Sequence, residues 1–127
     1  RALHRAMVSG WVRSAHDCSD GGLAVALAES AFAGALGLEL ELGALAAAEG
    51  LAPAALLFAE SPARLVVTVS PQHAAAFEGA LAGLPCHALG CVTAGERLLA
   101  RGPGGAIWLD AALGALKEAW QRTLRDL

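Results

Sequence analysis

Tyrosine is absent from this 127-residue chain, and aromatic residues together make up only 5% of it. Its core must therefore be assembled mostly from Ala, Leu and Val. Charge is scarce as well: Asp, Glu, Lys and Arg account for 17%, below the usual quarter. Nine Lys and Arg face twelve Asp and Glu, for a net charge of −3, which argues against a nucleic-acid-binding module. No basic block marks a membrane surface. Long apolar runs are also missing. The longest stretch without Asp, Glu, Lys or Arg is 79–95, and Pro85, His87 and several glycines break it, so it cannot span a bilayer. No apolar segment ahead of a cleavage site opens the chain and no initiator Met does. The expectation is a piece of a longer polypeptide. Three cysteines without a Cys-x-x-Cys fit a reducing cytoplasm better than a disulfide framework.

What is present is apolar. Hydrophobic residues are 56%, which excludes a disordered tail. The length suits one domain with a core of its own. A surface so poor in charge either meets another domain or subunit, or reflects a biased composition.

Residues 2–10 read as a helix stopped by Gly10, and 11–16 as a short strand. From Leu23 the apolar residues recur every three and four positions, giving a helix to about Ala35, with Gly37 as its stop and Ser19 or Asp20 as its N-cap. Leu38-Glu39-Leu40-Glu41-Leu42 alternates as a half-buried strand with both glutamates in water. Short helices follow over 44–49 and 54–58, then a loop at Glu60-Ser61-Pro62. The β-branched run 64–69 reads as a central strand, and Ser70-Pro71 opens a helix to about Leu81. Strands are expected over 86–92 and 96–100, joined as a hairpin by Thr93-Ala94-Gly95, with a further turn at 102–105 and a last short strand at 106–108. A final helix starts at Leu109 and shows Leu113, Leu116, Trp120 and Leu124 on one face. The fold class is α+β, an α/β sandwich around one mixed, partly antiparallel sheet covered by helices.

The most informative segment is His16-Asp17-Cys18-Ser19-Asp20-Gly21-Gly22, which links a strand to a helix start. Its glycines let a backbone approach a ligand, and free N–H groups there suit an anion. Asp17 and Asp20 offer hard oxygens to a divalent cation. The plainer reading is a capped helix and a glycine-shaped turn. Glu60 and Ser61 could bind a polar substrate, or Arg64 could simply pair with Glu60 on the surface. Cys86, His87 and Cys91 match no common zinc spacing, and a strand would turn them to different faces. Cys18 stands beside carboxylates, the wrong setting for a reactive thiol. His4 and His73 read as surface residues.

Three segments together carry a family resemblance: 14–29 around the Asp17–Gly22 turn, Leu57-Phe58-Ala59-Glu60-Ser61 with Arg64, and Leu89-Gly90-Cys91-Val92-Thr93. In order and spacing, and with the closing Trp-containing helix, they resemble the C-terminal end of phosphoribosylformylglycinamidine synthase, synthetase subunit of the small, multi-subunit type. The wider superfamily includes aminoimidazole ribonucleotide synthase, whose C-terminal domain has the expected fold, and selenophosphate synthase, a cousin that remains an alternative.

The resemblance implies a single C-terminal-type domain over 1–127. It implies a ligase of purine biosynthesis in which ATP, with magnesium, phosphorylates the amide oxygen of formylglycinamide ribonucleotide. Ammonia from a glutaminase subunit then displaces phosphate and leaves the amidine. It also implies partners: N-terminal ATP-binding and substrate domains of the same chain, the glutaminase subunit and a small accessory subunit. Asp17, Ser19, Asp20, Gly21, Gly22, Glu60 and Ser61 would face substrate or phosphate, and Asp17 would be a metal ligand. In the family's earlier copy of this domain a Gln follows the Glu-Ser pair. Pro62 stands there instead, which points to a vestigial or structural copy. The catalytic His of the family lies outside this chain, so the fragment alone is expected to bind no cofactor and to be inactive. A purely structural module bracing the catalytic half and the subunit interface is the other reading.

Overall fold

In the four-stranded sheet two strands run parallel and two antiparallel, in the order β4 (Gly90–Thr93), β2 (Gly37–Glu41), β5 (Arg97–Arg101) and β6 (Ile107–Ala112). The structure, a computed structural model, describes residues 1–125 apart from the side chains of Thr123 and Leu124. Leu124, expected on the apolar face of the last helix, therefore falls outside the described side chains. The elements are α1 (Ala2–Val8), β1 (Val12–Asp17), α2 (Gly22–Gly34), β2 (Gly37–Glu41), α3 (Gly43–Glu49), α4 (Pro53–Phe58) and β3 (Leu65–Val69). A 3-10 turn at Pro71–His73 leads into α5 (Ala74–Ala80). Then come β4 (Gly90–Thr93), β5 (Arg97–Arg101), a 3-10 turn at Pro103–Gly105, β6 (Ile107–Ala112) and α6 (Leu113–Arg125). Helices with mixed strand pairing make the class α+β, as expected.

Helix α2 organises the core. Its Leu23, Leu27 and Ala31 are buried with Leu38 and Leu40 of β2, Leu98 and Ala100 of β5, Leu56 of α4 and Leu113 of α6. Along β2 the leucines go in and Glu39 and Glu41 stay out, as the alternation requires. No helix among the described residues is long and apolar enough to cross a membrane.

Several expectations are corrected. Among the described residues there are two sheets, not one: β3 pairs there only with β1, antiparallel, so it is not a central strand. Strand β4 does not form a hairpin with β5. It pairs antiparallel with β2, while β5 lies parallel on the other side of β2. Leu38 and Leu40 then have neighbours on both flanks, and that burial outweighs the local turn signal. Gly37 is not the stop of α2. The helix ends at Ala35, in a left-handed conformation with φ 51°. Gly37 serves a different need, since a Cβ there would lie 2.6–2.8 Å from Thr93 Oγ1 and the carbonyl oxygens of Gly95 and Arg97. The strand expected over 86–92 begins only at Gly90, where a Cβ would collide with the Glu39 carbonyl. The last strand runs on to Ala112 because Leu98, Leu99 and Ala100 pair with Ala111, Asp110 and Leu109, and α6 starts four residues later than expected, at Leu113. The helix expected from Ser70 opens as a 3-10 turn, and Ser70 Oγ bonds His73 Nδ1 at 2.9 Å instead of capping.

Candidate functional site

The turn at 17–22 leaves the small sheet and enters the buried helix, and the fold holds it from both sides. Cys18 donates its N–H to the Arg64 carbonyl at 3.0 Å and buries its side chain to 2% exposure. Gly21 and Gly22 both take left-handed backbone angles, with φ 76° and 69°. At Gly22 a Cβ would lie 2.8 Å from the Ala59 carbonyl oxygen and the Phe58 carbonyl carbon, so only glycine lets α2 start this close to the end of α4.

The cap of α2 differs from expectation. Neither Ser19 nor Asp20 caps it; Gly21 is the N-cap residue. Ser19 Oγ instead donates to Asp17 Oδ2 at 2.5 Å. The charge at the helix start comes from Glu60, whose Oε1 accepts the Gly21 N–H at 2.9 Å across 39 residues of sequence. A carboxylate at a helix N-terminus is favourable, so the backbone donor expected to await an anion already holds one. The Glu60–Arg64 pair is likewise not formed. Arg64 bonds Glu49 of α3 and the Leu56 carbonyl of α4, the latter at 3.2 Å. Its side chain is only 16% exposed, so it ties the start of β3 to two helices.

Between these two walls lies an open cleft of about 370 Å³. Asp17, Ser19, Asp20, Glu60, Ser61 and Arg64 line it, so five of the seven residues expected at a site meet there. Gly21 and Gly22 lie behind it, at the start of α2. Ala63 on its rim is held at φ 61°, unusual for a residue with a Cβ. The Ser19 hydroxyl, then the backbone, hold the Asp17 carboxyl below the usual carboxylate range. Burial pushes the Cys18 thiol up, and Asp17 adds to this against the opposing pull of Arg64, as its acidic setting suggested. Three carboxylates and one already-paired guanidinium make a wall that repels phosphate rather than cradling it. For a metal, Asp17 offers one hard oxygen, and among the described residues no three His, Cys, Asp or Glu converge. Magnesium fits here only if phosphates or water complete its shell. Cys86 and His87 lie in the loop before β4 and Cys91 on it, all exposed.

Sequence reasoning missed a second set of contacts beside the cleft. His16 Nε2 lies 2.8 Å from Glu29 Oε2, and Trp120 Nε1 donates to Glu29 Oε1 at 2.8 Å. The partners are 13 and 91 residues from Glu29, on a strand and a helix, and no local pattern announces them.

The family of AIR synthase related proteins, C-terminal domain, matches residues 1–101. That span holds both walls of the cleft. This chain belongs to that family. Within reach of it, the chain is 45% identical over 114 residues to phosphoribosylformylglycinamidine synthase subunit PurL of Synechococcus elongatus, an alignment covering 87% of this chain and 14% of that protein. The subunit PurL of Synechocystis is 41% identical over 133 residues, covering 98% of this chain and 16% of its own. The chain thus spans about a seventh of the curated relatives it matches. Among solved structures, Thermotoga maritima PurL complexed with ATP superposes with a TM-score of 0.78 at 21% identity, covering 91% of this chain and 20% of that one. At that identity the likeness establishes the fold. Other structures of the Thermotoga protein are described as complexed with FGAR and as PurLQS.

Proposed function

We propose that residues 1–127 form one C-terminal-type domain of a longer synthetase polypeptide. That polypeptide is an ATP-dependent ligase of purine biosynthesis. It converts formylglycinamide ribonucleotide and ammonia to formylglycinamidine ribonucleotide in the cytoplasm. The observation that carries the reading is that 87% and 98% of this chain align with only 14% and 16% of the Synechococcus and Synechocystis synthase subunits. The N-terminal ATP-binding and substrate domains of the same polypeptide, a glutaminase subunit and a small accessory subunit are its partners. ATP and magnesium serve the whole enzyme, and this domain contributes no catalytic side chain.

Within the domain, the groups divide. Ser19, Gly21, Gly22 and Glu60 are committed to holding the turn. Asp17, Asp20 and Ser61 stay on the cleft, where a ligand carried by a neighbouring domain would meet them. Commitment of Glu60 and Arg64 to internal bonds favours bracing over ligand binding as the main task.

The test uses the polypeptide that contains this segment. With ammonium as nitrogen donor, it should form ADP only when formylglycinamide ribonucleotide is present, and the segment alone should do neither that nor bind ATP. Absence of substrate-dependent turnover in the long polypeptide, or ammonia-dependent ATP hydrolysis by the segment alone, overturns the proposal. Asp20→Asn then separates the two roles: loss of turnover at unchanged stability marks a ligand site, and unchanged turnover marks a brace.

A further inference from the structure

Glu29 sits on α2 with both carboxylate oxygens in use, and its two partners come from opposite ends of the chain. Oε1 accepts the indole N–H of Trp120 at 2.8 Å, and Oε2 lies 2.8 Å from His16 Nε2. Trp120 also leans on Phe32 of α2, with ring centroids 5.7 Å apart and planes at 51°, yet keeps 46% of its surface exposed. The other nitrogen of His16, Nδ1, lies 2.6 Å from the Asp17 carbonyl oxygen, at the end of β1. A continuous series of contacts therefore runs from α6, through α2, to the first peptide of the 17–22 turn.

We infer that Glu29 is a positioning residue that couples the seat of α6 to the shape of the cleft. The Trp120 N–H fixes the plane of the Glu29 carboxylate. Both neighbours of the His16 ring are acceptors, so the ring protonated at both nitrogens donates from Nε2 to Oε2 and from Nδ1 to the Asp17 carbonyl, and through it the fixed carboxylate holds the peptide that follows Asp17. The inference stands on contacts within this chain and does not depend on the ligase reading.

Hydrogen–deuterium exchange in the full polypeptide, read by mass spectrometry, tests it. Trp120→Phe keeps a ring on Phe32 and removes the donor. Exchange in the peptide covering 17–22 should rise about fivefold, the scale of one net hydrogen bond. In a Glu29→Ala background the same substitution should add nothing further, because the relay is already cut. An unchanged turn in Trp120→Phe, or effects that simply add in the double variant, overturns the inference. If Trp120→Phe speeds exchange everywhere, Glu29→Gln decides. It keeps an acceptor for Trp120 but weakens the hold on His16, so exchange should rise at 17–22 and stay unchanged over 113–125. Any other pattern in that variant rejects the relay.

Discussion

Strands β2 and β5 bury Leu38, Leu40, Leu98 and Ala100 to between 0 and 6% exposure, whereas no residue of β1 or β3 is fully buried. The four-stranded sheet is held by apolar area, at about 1.5–3 kcal/mol for each fully buried leucine. The two-stranded sheet cannot be held that way, and a lone pair of strands is marginal in water. Polar ties compensate: Ser14 Oγ to Thr68 Oγ1 at 2.5 Å across the pair, His16 to Glu29 of α2, Cys18 N–H to the Arg64 carbonyl, and Arg64 to α3 and α4. The cleft lies at the end of the sheet held by single, separable bonds. Loss of one of these bonds should therefore alter the cleft before it alters the core.

The comparison breaks most completely at Leu98. This side chain is fully buried in β5, between β2 and β6. Leu98→Ala should cost about 2–5 kcal/mol through lost contact and a residual cavity. Urea denaturation should show the loss, and a change of less than about half a kilocalorie would contradict the packing described here.

Next in size is Gly22→Ala. A Cβ there meets backbone atoms of residues 58 and 59 at 2.8 Å, and the φ of 69° disfavours any L side chain. The expected loss is about 1–3 kcal/mol for a strained backbone residue. Unlike Leu98→Ala, it should act at the junction of α2 and α4, so exchange should rise over 17–22 and 57–64 before it rises in β5. Simultaneous loosening of both sheets would mean that the two regions are not separable.

Much of this contrast was legible in the residues, but unevenly. The alternation at 38–42 and the spacing along α2 identify the core because burial there repeats with a local period. The helix expected over 54–58 begins one residue earlier, at Pro53, whose fixed φ suits a first helical position. The partner of β4 was not legible, since Thr93-Ala94-Gly95 has hairpin chemistry while the choice of β2 is made by burial far along the chain. Asp17, Ser19, Asp20, Glu60 and Ser61 line one cleft, and only the family resemblance, not their spacing, groups them. Their division of labour was not legible. Ser19 and Asp20 are good N-cap residues by type, and the tie at the helix start comes instead from Glu60, 39 positions beyond Gly21.

That substitution of a distant carboxylate for a local cap gives the third test. Glu60→Ala should cost on the order of 1 kcal/mol, as loss of a helix cap does. Glu60→Gln, which keeps an acceptor but not the charge, should cost about a few tenths of a kcal/mol, and that cost should shrink in high salt as the charge is screened. Equal stability of Glu60→Ala and the parent in thermal melts would show that Gly21 is held by its backbone alone.

The smallest effect sharpens the comparison at a single exposed group. The Ser19 hydroxyl, with the backbone, lowers the folded-state pKa of Asp17 from an ordinary 3.8. A carboxyl lowered on folding adds stability that is fully present above its unfolded value and lost as pH falls through its folded one. The turn should therefore keep its geometry at neutral pH and loosen only in acid below about 3.8, the unfolded value. Ser19→Ala removes the largest cause, so the Asp17 midpoint should rise toward 3.8, and the stability that acid removes should shrink with it. A carboxyl-detected NMR titration reads the midpoint directly. An unchanged midpoint in Ser19→Ala would leave the backbone and His16 as the causes of the shift. It would also move Ser19 from the groups that hold the turn to those that merely face the cleft. The contrast between the two sheets would stand, with one tie fewer on the weaker side.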